Sequence, residues 1–124
     1  MLVDDDEDDN FFHEMEIVNN HLAEAVLVED SGRKALDYLR SGKEPHSDLI
    51  FLDINMPGMS GWEFLDEYNK LDKDLQSKAM IFMLSTSENP ADAQRARGWD
   101  FVTDYITKPL TKEVIEGIIA KYFN

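Results

Sequence analysis

Short continuous apolar runs alternate along the chain with longer stretches in which apolar residues recur at helical spacing. The runs at residues 49–52 and 79–84 are typical of strands that are covered on both faces, as in a parallel sheet. Residues 1–3, 25–28 and 104–107 predict three more strands. The pattern therefore predicts five strands separated by helical segments.

Apolar residues at helical spacing predict a helix after each strand. The residues expected to face the core from the first helix are Phe11, Phe12, Met15, Val18 and Leu22. The same expectation for the last helix covers Val114, Ile115, Ile118, Ile119, Tyr122 and Phe123. The second, third and fourth helices are expected to begin at residues with N-cap chemistry, Ser31, Ser60 and Asn89, and the last helix at about Thr111. Five strand–helix units predict a parallel sheet with helices on both faces.

The composition predicts one soluble domain spanning residues 1–124. The chain lacks cysteine, which excludes a disulfide framework and is compatible with a reducing cytoplasm. Its formal net charge of -14 disfavours a phosphate backbone as a ligand, so we expect no direct contact with nucleic acid. The longest apolar run is too short to cross a membrane. Residues 1–3 are few for a central strand, so we expect either further residues upstream in the native protein or an unusually short strand.

Polar side chains directly follow four of the predicted strands. In chain order they are Asp4, Asp5 and Asp6, then Asp53, then Ser85 and Thr86, and finally Lys108. The functional crevice of such a sheet lies beyond the carboxyl ends of its strands. We therefore expect these side chains to form one site.

Carboxylates that converge in one place repel one another and need a cation or a proton. Mg²⁺ suits them, because it keeps several waters and takes further ligands from carboxylates and a phosphate. We predict that Asp5 binds Mg²⁺ directly, that Asp4 holds it through water or orients it, and that the backbone carbonyl of Asn55 completes the protein ligands. A lysine and a hydroxyl on opposite sides suit the oxygens of a phosphoryl group. Asp53, which ends a rigid strand, is the predicted nucleophile and a further metal ligand.

Four motifs occur in order at the ends of the predicted strands. They are Val3-Asp4-Asp5, Asp53 followed by Asn55-Met56-Pro57-Gly58-Met59-Ser60-Gly61, Leu84-Ser85-Thr86, and Tyr105-Ile106-Thr107-Lys108-Pro109. Each motif alone is weak, but the ordered set is highly specific. Over essentially its whole length the chain resembles the receiver domain of two-component response regulators, of the chemotaxis-regulator type. Ser85 stands where many members of that family have threonine. Serine keeps the hydroxyl group and lacks the methyl group.

The resemblance implies an α/β, flavodoxin-like (βα)5 three-layer sandwich with a parallel five-stranded sheet in the order 2-1-3-4-5. It implies a cytoplasmic phosphoprotein of a phosphorelay. Asp53 would accept a phosphoryl group from a sensor histidine kinase or a histidine phosphotransfer protein, and an unknown downstream protein would read the result. Asp4 and Asp5 would hold Mg²⁺. Ser85 and Lys108 would contact the phosphoryl oxygens.

The resemblance also implies a conformational switch. New charge on Asp53 draws the Ser85 hydroxyl inward, and Tyr105 moves from an exposed to a buried position in the space vacated. The surface made of the fourth predicted helix, the fifth strand and the fifth predicted helix changes with it. The protein is then a phosphoacceptor rather than an enzyme, with slow Mg²⁺-dependent loss of its own phosphoryl group. The bond between Lys108 and Pro109 is expected to be cis.

Some of the polar and aromatic residues have plainer interpretations. Acidic runs are usually solvated, and we assign residues 6–9 to solubility and to favourable charge at a helix N-terminus. Trp62 and Trp99 are interpreted as packing or surface residues. The histidines lack metal-ligand spacing and receive no role; they are His13, His21 and His46.

Three other functions remain open. A flavodoxin-like electron carrier shares the fold class, but the acids after the first strand would repel its cofactor phosphate. A Mg²⁺-dependent phosphohydrolase with an aspartyl nucleophile typically has an acid two residues after that nucleophile, where this chain has Asn55. A receiver-like interaction module that is never phosphorylated is opposed only by the presence of every expected site residue.

Overall fold

The chain forms a five-stranded parallel sheet in the order β2-β1-β3-β4-β5. A computed structural model describes residues 1–43, 45–76 and 79–123. The strands are β1 (Leu2–Val3), β2 (Val28–Glu29), β3 (Leu49–Asp53), β4 (Met80–Ser85) and β5 (Val102–Thr107). The predicted fold class and strand order are confirmed.

Helices connect successive strands. Within the described residues they are α1 (Glu7–Asn19), α2 (Gly32–Ser41), α3 (Gly61–Asn69), the single turn α4 (Lys73–Gln76), α5 (Pro90–Ala96) and α6 (Lys112–Tyr122). The short α4 is the one helix among them that the apolar pattern did not predict. None of these helices has the length and apolar composition that crossing a bilayer requires.

Both faces of the sheet are buried, which explains the continuous apolar runs of β3 and β4. Successive side chains of a strand point to opposite faces. Ile50 and Leu52 therefore pack with residues of α2 and α3, whereas Phe51 packs with residues of α1 and α6. The result is three layers, with the sheet in the middle.

The predicted helix caps are confirmed. The side chains of Ser31, Asn89 and Thr111 accept hydrogen bonds from backbone N–H groups in the first turns of α2, α5 and α6. Ser60 and Glu63 form both hydrogen bonds of a capping box at the start of α3. These local interactions fix where the helices start relative to the strand ends.

The predicted inward face of α1 is wrong. Phe11, Phe12, Met15 and Val18 are exposed, with 65% of Phe11 and 51% of Val18 accessible to solvent. The buried residues of α1 are Asn10, His13 and Ile17. Two of these three are polar: the Asn10 side-chain nitrogen and Nε2 of His13 form hydrogen bonds to neighbouring segments, while Oδ1 of Asn10 is buried without a partner among the described residues. Hydrophobicity alone therefore indicated the wrong face.

Three smaller predictions also need correction. The second strand covers Val28–Glu29 rather than residues 25–28, because it pairs only with Leu2 and Val3 of β1. Phe123 lies beyond the end of α6 and is exposed rather than inward. The fifth strand begins at Val102, two residues before the predicted start.

The start of α3 lies directly against the end of β3. The N–H of Gly61 donates to the carbonyl of Ile54 at 2.7 Å. A Cβ atom on Gly61 would lie 2.6 Å from the backbone oxygen of Asp53 and 2.9 Å from Cα of Ile54. This close approach requires glycine and holds the backbone of Asp53 in place.

We expect Gly61→Ala to destabilise the protein by about 1–3 kcal/mol, because the added methyl group meets backbone atoms that cannot rotate away. Gly117→Ala is the matched control, since Gly117 lies inside α6 and nothing lies within 4 Å of its added Cβ. That variant should be neutral or more stable by up to about 1 kcal/mol through helix propensity. Urea denaturation measures both changes. Equal effects of the two substitutions would show that the Gly61 contact carries no special constraint.

Candidate functional site

The carboxyl edge of the sheet brings together the side chains that follow β1, β3 and β5. Carboxylate oxygens of Asp4, Asp5 and Asp53 lie within 4.8 Å of one another. The ammonium of Lys108 lies 3.1 Å from Oδ1 of Asp53. Ser85 ends β4 at the same edge, and its carbonyl accepts a 2.7 Å hydrogen bond from the N–H of Lys108. The sequence correctly predicted that these residues meet.

The Lys108 ammonium is surrounded by carboxylates. It donates to Oδ2 of Asp4 at 2.7 Å and to Oδ2 of Asp9 at 2.8 Å, in addition to its ion pair with Asp53. An ammonium has three N–H donors, so three carboxylates match its donor number. Its burial favours the neutral amine, but the hydrogen bonds to Asp4 and Asp9 and the charge of Asp53 outweigh that effect and raise the pKa of Lys108. The lysine is therefore a fixed positive charge in the site.

The contact of Asp9 with Lys108 was missed by the sequence analysis. Asp6 is the N-cap of α1, and its Oδ1 accepts from the N–H groups of Asp8 and Asp9, as the assignment to helix N-terminal charge requires. Asp9 has a further role, because α1 directs its carboxylate towards the ammonium of Lys108. No local pattern in the sequence distinguishes Asp9 from the other acids of residues 4–9, because its partner lies 99 positions away along the chain.

Two buried polar residues of α1 support the site. The Asn10 side chain donates to the backbone oxygen of Asp4 at 2.7 Å. His13, to which the sequence assigned no role, accepts at Nε2 from the N–H of Leu110 at 3.1 Å. Burial lowers the pKa of His13 and favours the neutral ring that this acceptor role requires. The two contacts tie α1 to the segments that carry Asp4 and Lys108.

The electrostatics of Asp53 are unfavourable for its charged form. Burial raises the pKa of its carboxyl to about 6, and the nearby charge of Asp4 adds to the effect, although Lys108 opposes it. Carboxylates this close repel one another by about 4 kcal/mol per pair at the effective dielectric of a protein surface. The site therefore favours the binding of a cation.

The oxygen donors of the site fit Mg²⁺. Asp4 and Asp53 are buried and Asp5 is exposed, so the cluster is open to solvent on one side. Mg²⁺ prefers oxygen ligands and retains waters, which matches such a half-open arrangement. Asn55 is exposed two residues after β3, and the role of its carbonyl as a ligand stays a prediction.

A chain of hydrogen bonds connects Ser85 to Tyr105. Oγ of Ser85 accepts from the N–H of Ser87 at 3.0 Å, and the hydroxyl of Tyr105 donates to the carbonyl of Ser87 at 2.8 Å. Ser85 is buried and Tyr105 is half-buried. The bond between Lys108 and Pro109 is cis, as expected.

The fold and the site define a class of protein: a doubly wound α/β domain with an acidic pocket and a lysine at the carboxyl edge of its sheet. The family model of the response regulator receiver domain matches residues 1–120. The chain therefore belongs to the response regulator receiver family.

Solved structures and curated proteins agree with this assignment. A two-component response regulator from Cytophaga hutchinsonii is 33% identical, with a TM-score of 0.87 over 99% of this chain and 94% of that one. A response regulator receiver protein from Dyadobacter fermentans is 27% identical, with a TM-score of 0.88 over 98% of this chain and 94% of that one. Chemotaxis protein CheY from Pseudomonas aeruginosa is 32% identical over 76% of this chain and 71% of its own length.

Several relatives are far longer than this chain. The sensor histidine kinase GacS of Pseudomonas protegens is 27% identical over 78% of this chain, which is 10% of its own length. For the nitrate/nitrite response regulator NarL of Escherichia coli, the matched region is 28% of the protein. The receiver domain thus occurs in these relatives as one part of a larger protein.

In the metal-free protein, we expect ionised Asp53 to destabilise the fold. Its pKa of about 6 in the folded protein lies above the ordinary value of 3.8 for an aspartate carboxyl. The folded state therefore binds this proton more tightly, and stability falls as the pH rises through that interval. Asp53→Asn removes this loss of stability. At about pH 8 in EDTA, the free energy of unfolding of the variant should exceed that of wild type by up to about 3 kcal/mol, and the difference should disappear below about pH 4.

Urea denaturation of wild type and variant across this pH range measures the gap. Asp66→Asn is the control, because it removes one charge from an exposed position on α3. The stability of this variant should depend on pH in the same way as that of wild type. A wild type as stable as Asp53→Asn at about pH 8 would contradict the assigned electrostatics.

Proposed function

We propose that this chain receives a phosphoryl group on Asp53 from a sensor histidine kinase or a histidine phosphotransfer protein. The convergence of Asp53 with two further carboxylates and with Lys108 is the observation that carries the proposal. A nucleophile, a metal site and a fixed cation are the parts that phosphoryl transfer requires. The acids after β1 would repel the cofactor phosphate of an electron carrier, and Asn55 stands where an aspartyl phosphohydrolase typically has an acid.

The transfer is a displacement at phosphorus. One carboxylate oxygen of Asp53 attacks, and the new O–P bond forms as the P–N bond of the donor phosphohistidine breaks, with the electron pair leaving on the imidazole nitrogen. Asp4, Asp5, Asp53 and the carbonyl of Asn55 would hold Mg²⁺, which when bound would supply positive charge that offsets the charge of the phosphoryl oxygens. Lys108 and the hydroxyl of Ser85 provide further donors for those oxygens. Water slowly reverses the modification, so the domain acts as a switch rather than an enzyme.

The surface beside the site suits a protein as phosphodonor. Phe11, Met15 and Val18 share one exposed face of α1, the helix that also carries Asp9. Asp5 and Phe11 line the same groove. We infer that the donor is a cytoplasmic protein that docks on this face, and that the protein reading the phosphorylated state contacts the surface made of α5, β5 and α6. The net charge of -14 opposes direct binding of nucleic acid.

The test of the acceptor is incubation with Mg²⁺ and a small acyl phosphate, followed by intact mass measurement. Wild type should gain the mass of one phosphoryl group, and Asp53→Ala should gain none, because it lacks the attacking oxygen. Asp66→Ala should behave as wild type, since Asp66 is exposed on α3. Phosphorylation of Asp53→Ala would refute the assignment. Repeated release of phosphate at enzymatic rates would favour the phosphohydrolase instead.

Ser85 and Tyr105 form the proposed switch. A phosphoryl group on Asp53 offers an acceptor to the Ser85 hydroxyl, which already accepts a hydrogen bond from Ser87. Because Tyr105 is bonded to the same Ser87, motion of Ser85 reaches the tyrosine ring through one residue. The ring starts from a half-buried position. The surface biased by this motion consists of α5, β5 and α6.

We expect phosphorylation to reduce the solvent exposure of Tyr105, because the ring moves further into the space beside Ser85. Hydroxyl-radical labelling read by mass spectrometry measures the change, with Tyr38 on α2 as the internal control. In a Ser85→Ala variant that is phosphorylated to the same extent, the reduction should disappear. Unchanged labelling of Tyr105 in fully phosphorylated wild type would rule out the switch.

A further inference from the structure

Lys108 has a partner that does not belong to the metal cluster. Its ammonium binds the carboxylates of Asp4, Asp9 and Asp53. Asp4 and Asp53 also supply oxygens to the set that suits a divalent cation, whereas Asp9 is not part of that set. The lysine and a cation therefore compete for Asp4 and Asp53, but not for Asp9.

We propose that Asp9 is a positioning residue that retains Lys108 beside the site when Asp4 and Asp53 bind Mg²⁺. The proposal rests on the proposed function, in which the same lysine then contacts the phosphoryl oxygens. Because Asp9 binds the ammonium, Lys108 can release Asp4 and Asp53 to the cation and still remain beside the site. In the absence of the Asp9 carboxylate, the ammonium stays bound to Asp4 and Asp53 and repels the incoming cation.

Asp9 is well placed for this role. Its N–H is bonded to the N-cap Asp6, which fixes the first turn of α1. Its side chain is 38% exposed, compared with 10% for Lys108, so its charge stays partly hydrated and does not need the lysine to balance it. The carboxylate can therefore persist as an anchor in both states of the site.

The same side of α1 contacts the segment after β5 at two further points. His13 accepts from the N–H of Leu110, and Glu16 accepts from the N–H of Lys112 at 2.8 Å. Asp9, His13 and Glu16 recur at helical spacing, so one helix face holds the segment that carries Lys108. Asp9 is the member of this series that touches the ammonium itself.

The experiment measures Mg²⁺ affinity by titration calorimetry of the full chain. Asp9→Asn should bind Mg²⁺ at least about threefold more weakly than Asp8→Asn, which removes the same charge from an exposed neighbouring position. Asp9→Glu should recover most of the loss, because it restores a carboxylate. In a Lys108→Met background, Asp9→Asn and Asp8→Asn should bind Mg²⁺ equally. Circular dichroism verifies that each variant is folded.

A second measurement follows the lysine directly. In the Mg²⁺-bound protein, the ¹⁵Nζ resonance of Lys108 should show slow proton exchange in wild type and in Asp8→Asn, and fast exchange in Asp9→Asn. Equal Mg²⁺ affinities of Asp9→Asn and Asp8→Asn would overturn the proposal. A difference that persists without Lys108 would do the same, since it would reflect charge alone. If wild type bound no Mg²⁺, or if Asp5→Asn bound Mg²⁺ as tightly as wild type, the metal site of the proposed function would be wrong, independently of Asp9.

Discussion

One ammonium group shared among three carboxylates links the fold of this protein to its chemistry. Parallel strands place Asp4 and Asp53 at the same edge of the sheet, and their charges repel strongly at that distance. Lys108 offsets part of this repulsion from the end of β5. Burial, together with the nearby charge of Asp4, raises the pKa of Asp53 to about 6, and the remaining negative charge makes the site receptive to a divalent cation. The site is thus strained electrostatically until a ligand arrives.

Helix α1 shows how the rest of the molecule adapts to that requirement. Its buried side contains Asn10 and His13, whose hydrogen bonds hold the segments that carry the aspartates and the lysine. Its large apolar residues consequently lie on the outer side, where Phe11 and Val18 are exposed. A helix that serves the site with its polar residues leaves an apolar face free for a partner.

The route from the site to the outer surface is short. Ser85 and Tyr105 lie on neighbouring strands, and Ser87 is hydrogen-bonded to both. A change at the Ser85 hydroxyl therefore reaches a partly exposed ring without rearrangement of the core. The close contact of Gly61 with the end of β3 keeps the backbone of Asp53 fixed while side chains move. A fixed backbone at Asp53 and a hydroxyl that can move at Ser85 are the two properties that the proposed switch needs.

Sequence alone determined the order of strands and helices, the N-caps and the residues that follow each strand, because hydrophobic period and cap chemistry are local. It also predicted that Asp53 and Lys108 meet, since parallel strands end at a common edge. The inward face of α1 and the contact of Asp9 with Lys108 emerged only in the tertiary structure. Both depend on hydrogen bonds between residues about a hundred positions apart, and a pattern of polar and apolar letters does not show which polar side chains find such partners.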